Sequence, residues 1–167
     1  DVGEGLADFT MWDAPGLLPT LDAGKPIVVL AGIHAGCWEL FGNHRVQAIR
    51  DLKGKRVAVS ALGSSEHVYL ASMLAYVGIN SRQVNWVEAG TVPDSMQLFI
   101  EGKVDAFLGF PPQPQELRAR KVGHVIVDTA QDRPWSQYFC CTITAYRDFV
   151  RKNPVATKRV VRAFLKA

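Results

Sequence analysis

Asp51-Leu52-Lys53-Gly54-Lys55-Arg56-Val57-Ala58-Val59, followed by Leu62-Gly63-Ser64-Ser65, is the stretch on which the fold turns. A polar turn carrying Gly54 leads into an alternating apolar strand at 56–59. A second glycine turn then opens a helix on two serines. Strand, glycine turn and serine-led helix make an α/β unit whose free backbone N–H groups can hold a small anion. Such a unit points to small-molecule capture rather than to nucleic-acid binding or a purely structural role.

Working outward, the helix begun at Ser65 runs to Val77. Its apolar stripe is Leu70, Met73, Leu74 and Val77, and Gly78 stops it. Strands are predicted at 84–87, 104–109 and 123–127, with helices opening at Pro93-Asp94 and spanning 116–121. Upstream, residues 7–12 read as a strand and 14–23 as a helix with Pro15 in its first turn. The apolar run 26–31 reads as a buried parallel strand, and 33–41 as an extended segment closed by Gly42-Asn43. Downstream, 138–145 is extended, and Asn153-Pro154 starts a helix with Asn153 as its cap. This alternation argues for α/β architecture built on parallel sheet.

Composition narrows the function. The excess of basic over acidic residues, 19 − 16 = +3, is too small to imply nucleic acid. No apolar run reaches membrane-spanning length. Three cysteines, Cys37, Cys140 and Cys141, are too few for a disulfide scaffold, and they read as buried thiols unless Cys37 pairs with one of the other two. The chain starts without Met and ends within a helical pattern at Leu165-Lys166-Ala167, so it reads as the middle of a longer protein.

Gly3-Glu4-Gly5-Leu6-Ala7-Asp8-Phe9, Leu21-Asp22-Ala23-Gly24-Lys25-Pro26, Asp51-Leu52-Lys53-Gly54-Lys55, Gly102-Lys103-Val104-Asp105-Ala106 and the 149–154 segment follow one another in this order. The series resembles the nitrate/sulfonate/taurine-type periplasmic solute-binding proteins of ABC importers, a superfamily that includes pyrimidine-precursor-binding relatives. The resemblance implies a type II periplasmic-binding-protein-like fold, with two α/β lobes joined by two crossing strands and the ligand in the cleft between them. One lobe would be 1–45 with 137–167, incomplete because the family carries further elements at both ends. The other would be 46–136. Crossings would fall near 41–46 and 133–138. Further implications are a periplasmic or membrane-associated extracytoplasmic location, a small organic anion or nitrate as ligand, an ABC permease as membrane partner, and a monomeric state.

The leading ligand candidates are Gly63, Ser64 and Ser65, with His67 one turn further in. A helix start supplies N–H donors and a favourable dipole, although a serine there also serves simply as a cap. Trp12 and Asp13 follow a strand end and offer an aromatic wall and a carboxylate, or a core cover and a helix cap. Phe110 and Pro111 begin a stiff Pro-rich loop after another strand. Tyr138 lies near the second crossing.

Enzyme signatures are absent. Asp8 replaces the third glycine of a dinucleotide loop, and His67 stands where a nucleophile elbow needs glycine. There is no P-loop and no His-Glu-x-x-His. His34, Cys37 and His44 fall on an apolar segment without a second ligand pair, so neither metal nor cofactor is expected. The alternative is an enzyme of the same fold acting on a pyrimidine or menaquinone precursor, for which the chain offers Asp13, Glu66 and His67. An effector-sensing domain would require a helix-turn-helix upstream.

Overall fold

Strands and helices alternate along the computed structural model, which describes residues 2–167. In chain order they are β1 (Phe9–Asp13), α1 (Ala14–Asp22), β2 (Ile27–Ala35), β3 (Glu39–Gly42), β4 (Arg56–Val59), α2 (Ser65–Tyr76) and β5 (Asn85–Glu88). They continue with α3 (Val92–Ile100), β6 (Ala106–Gly109), α4 (Gln113–Arg120), β7 (His124–Asp128), β8 (Phe139–Tyr146), α5 (Arg147–Lys152) and α6 (Pro154–Phe164). The chain divides into two compact units, Asp1–Ala35 with Gln137–Ala167, and Gly36–Ser136. Among the described residues, no helix is long and apolar enough to cross a membrane.

The first change of unit falls at 35/36, earlier than the 41–46 crossing expected from sequence. The reason is β3, which is hydrogen-bonded on both sides within the second unit's sheet, to β6 and to β7. Gly36 sits at the change with φ +60°, and a Cβ there would come within 2.2 Å of the Ala130 backbone. Only glycine satisfies both the backbone angle and that approach.

The second unit holds a five-stranded sheet in the order β5-β4-β6-β3-β7. β4 runs parallel to β5 and β6, whereas β3 is antiparallel to both its neighbours. Phe41, Ala58, Met96, Phe99, Val104, Phe107 and Leu117 pack as its core. Leu70, Met73 and Leu74 of α2 are wholly buried, as the 3.6-residue stripe requires. At the amino end of β6, the buried Asp105 carboxylate gathers the Arg56 N–H at 3.0 Å, the Asn43 amide at 3.0 Å and the Arg45 guanidinium at 2.7 Å.

The first unit's sheet is β1-β8-β2, antiparallel throughout. The run at 26–31 is therefore the start of an antiparallel strand, contrary to the parallel one expected. An apolar run records burial but not the direction of its neighbour. Val2, Leu17 and Ile27 form a core cluster with Trp12 and Tyr146 packed against it. The helix expected to start at Asn153-Pro154 is α6, and a short helix not expected from the sequence, α5, precedes it. Asn153 does not cap α6 through its side chain; its amide donates instead to Phe149 O at 3.2 Å.

The thiol expectation also needs correction. Cys37 and Cys140 are both disulfide-bonded, and Cys141 is free. The Cys140 and Cys141 sulfurs lie 4.0 Å apart, and of the two Cys140 is the bonded one. Burial, aided by the nearby Asp13 carboxylate, pushes the Cys141 thiol above its ordinary value, so it stays protonated and poorly nucleophilic.

Candidate anion site at the carboxyl edge of the second unit

Because β4, β5, β6 and β7 share one direction, their carboxyl ends open on one edge of the second unit's sheet. Open α/β sheets bind ligands at that edge. The turn after β4, the helix start of α2, the loop after β5 and the loop after β6 all lie there. Ala89 N–H donates to Val59 O at 2.8 Å and Gly90 N–H to Ser60 O at 2.9 Å, so the β4–β5 pairing continues into the loops.

Side chains from three places hold the turn after β4. Ser60 N–H donates to Glu66 Oε1 at 2.6 Å, Leu62 N–H to Glu88 Oε2 at 3.1 Å, and Gly63 N–H to His67 Nδ1 at 3.0 Å. Ser64 N–H donates to Ala61 O at 3.2 Å. Ser64 is the cap of α2, its hydroxyl accepting from His67 N–H at 3.4 Å. The next two backbone donors, the N–H groups of Ser65 and Glu66, have no acceptor among the described residues. Ser65 is half-buried, and Gly63 is exposed with nothing within 4 Å of a built Cβ.

The other helix starts on this edge differ. α3 begins Val92-Pro93-Asp94; proline has no N–H, and Asp94 N–H is spent on the Thr91 hydroxyl at 3.2 Å. α4 follows Pro112 and carries Pro114 in its first turn, and Gln113 N–H donates to Phe110 O at 3.1 Å. Of the three starts, α2 is the one with two adjacent free amides, backed by two hydroxyls and by the dipole of a twelve-residue helix.

Phe110 and Pro111 lie on the loop after β6, the strand next to β4. The Phe110 ring is 41% exposed and packs on Trp38 with centroids 5.2 Å apart. Trp38 is anchored through its backbone: its N–H donates to Thr129 Oγ1 at 3.0 Å, and that hydroxyl donates to Trp38 O at 2.8 Å. Tyr69, one turn along α2 from the free amides, lies beside the same Thr129 side chain and packs edge-on against Trp135. Burial raises the Tyr69 phenol above its ordinary value, outweighing the opposing effect of Thr129, so it remains neutral. Two buried atoms in this region, Trp38 Nε1 and Gln113 Oε1, have no hydrogen-bond partner among the described residues.

The structure thus brings Gly63, Ser64, Ser65 and His67 into one turn, with Phe110 and Pro111 on the adjacent strand end. Trp12, Asp13 and Tyr138 belong to the first unit. There Asp13 caps α1, its carboxylate accepting from Gly16 N–H at 2.9 Å, and Trp12 packs on the Val2–Leu17–Ile27 cluster. Tyr138 is 63% exposed just before β8. Glu88 and Trp86, which support the turn from β5, have no signal in the sequence, because they act across 26 and 19 residues of chain.

The family described as NMT1/THI5 like matches residues 1–167. No curated protein sequence matches the chain. Among solved structures, the chain is similar to the alkanesulfonate-binding protein from Xanthomonas axonopodis pv. citri bound to MOPS, at TM-score 0.79 and 18% identity, covering 98% of this chain and 56% of that one. The periplasmic aliphatic sulphonate binding protein from Escherichia coli superposes at 0.77 with 23% identity, over 98% and 55% of the two chains. The periplasmic nitrate-binding protein from Synechocystis PCC 6803 gives 0.68 with 16% identity, over 95% and 46%. The fold is that of the periplasmic binding proteins, and the chain spans about half the length of these relatives.

Proposed function

We propose, from the premise that the chain belongs to the NMT1/THI5-like family, that it is part of an extracytoplasmic solute-binding protein serving an ABC importer. Its ligand is a small organic anion, of which sulfonates are the leading class. The observation that carries this reading is the pair of free amides of Ser65 and Glu66 at the start of α2. Two parallel N–H donors at a positive helix end suit a sulfonate, carboxylate or nitrate oxygen pair. The part-exposed Phe110 ring on the neighbouring strand end supports an organic ligand over bare nitrate.

Binding without chemistry also accords with the side chains. Asp13 is spent as a helix cap, His67 Nδ1 accepts a hydrogen bond from the Gly63 N–H, and Cys141 is held as the neutral thiol. None of the three is placed as an activated nucleophile or base.

A thermal-shift panel of alkyl and aromatic sulfonates, nitrate, aromatic carboxylates and pyrimidines tests the proposal on the polypeptide as the cell makes it. At about 100 times Kd, a ligand bound only by the folded state adds roughly 2.7 kcal/mol, or about 5–10 °C for a domain of this size. A saturable rise with sulfonates and no turnover is expected. A flat panel, or consumption of a pyrimidine, contradicts it.

A further inference from the structure

We infer that His67 is a positioning residue for the anion site and that it works only as neutral imidazole, so that mild acid loosens the site. The inference rests on the proposed function and concerns how that site is regulated. Three side chains hold the turn from Ser60 to Gly63, but they differ in kind. Glu66 and Glu88 accept through carboxylate oxygens, whereas His67 accepts through a ring nitrogen. His67 accepts the Gly63 N–H on Nδ1 at 3.0 Å, which places the ring proton on Nε2. A second proton must go to Nδ1. Two N–H groups would then face each other across 3.0 Å, and Gly63 would have to leave.

Gly63 has room to shift. It is exposed, sits at φ +86°, and nothing lies within 4 Å of its Cβ position. It is also two residues from the Ser65 amide, so its displacement reaches the cap and the donor pair directly. The charged groups facing the imidazole are the Glu66 carboxylate from α2 and the Glu88 carboxylate from the end of β5. The Trp86 ring from β5 meets it edge-on at 4.7 Å. Burial lowers the His67 basicity and outweighs the two carboxylates, which favour the cation. His67 is therefore neutral at pH 7, and the turn stays latched until the pH drops below the ordinary histidine range.

Replacing His67 with Asn is the decisive variant, because an Asn side-chain oxygen can accept the Gly63 N–H at every pH. The backbone amide resonance of Gly63 is followed by NMR from pH 8 to pH 5 in the parent and in His67→Asn. Methanesulfonate is titrated into both at pH 7.5 and pH 5. In the parent, the Gly63 amide is expected to shift with the His67 ring titration. Affinity for methanesulfonate should fall about fivefold in acid, the worth of one neutral hydrogen bond. In His67→Asn both readouts should be flat. A Gly63 amide that ignores the His67 titration, or binding that tightens in acid, overturns the inference. Should methanesulfonate bind neither protein at any pH, the proposed function fails for small sulfonates and acid control of binding fails with it. The Gly63 resonance still decides whether His67 positions the turn.

Discussion

Replacing Ser65 with proline is expected to remove binding of the anionic ligand while leaving the second unit folded. Ser65 is the first residue of α2, the one helical position where proline is well tolerated, because its missing N–H has no intrahelical partner. The residue before a proline must be extended, and Ser64 already is, at φ −64° and ψ 165°. The substitution therefore deletes one of the two free amides without asking the chain to rearrange. Losing a charge-assisted bond of about 1.5–3 kcal/mol weakens binding roughly 10- to 150-fold. Stability should change by less than about 1 kcal/mol. Ser65→Ala separates the two donors of this residue, since it removes the hydroxyl and keeps the amide. It should retain more affinity than proline does. A proline variant that binds normally would show that the ligand does not use the helix start.

The largest loss of stability is expected at the opposite edge of the same sheet. Asp105 is 5% exposed and accepts hydrogen bonds from Asn43, Arg45 and the Arg56 backbone. Burial by itself would raise its pKa. The Arg56 N–H, the Asn43 amide and the charges of Arg45 and Arg56 together hold the carboxyl below the ordinary range. Asp105→Ala leaves the Arg56 and Asn43 donors without their acceptor, at a cost of about 2–4 kcal/mol. Both arginine side chains are about half-exposed, which keeps the estimate below that for a fully buried pair.

The sign of the pH effect follows from the lowered pKa. The Asp105 contribution is complete above the ordinary carboxylate value and is lost as pH falls through the folded-state value. Urea midpoints measured from pH 7 downward should therefore converge for the parent and Asp105→Asn in acid. A constant gap would contradict the assignment. Asp105 precedes β6 and lies away from the carboxyl edge, so ligand affinity should be unchanged.

Much of this architecture is legible in the sequence, for local reasons. Gly63 and two serines before the stripe Leu70, Met73 and Leu74 announce a capped, core-facing helix, and turn chemistry plus period is enough to place it. The roles of Ser64 as cap and of Asp13 as cap of α1 are equally local. What the sequence does not show is pairing at a distance. Nothing in the run 26–31 says that its neighbour will be β8, antiparallel and more than 100 residues away. Nothing near Glu39 says that β3 will join β6 and β7. The same holds at the site. Ser65 is recognisable as a helix start, but whether its amide is free depends on what Glu88, Glu66 and His67 do with the preceding N–H groups. Those contacts exist only once β4, β5 and α2 have assembled. His67 is the instructive case: its position one turn into the helix marks it as a ligand candidate, while its geometry makes it a support for the turn.

The central claim is that the free amides of Ser65 and Glu66 hold the ligand's anionic group. The most direct measurement is a titration of the polypeptide, as the cell makes it, with methanesulfonate, following every backbone amide by NMR at pH 7.5. The account predicts saturable shifts that are largest at Ser65 and Glu66, with smaller ones at Gly63 and Ser64. Saturable binding that leaves the Ser65 and Glu66 amides unmoved would contradict it.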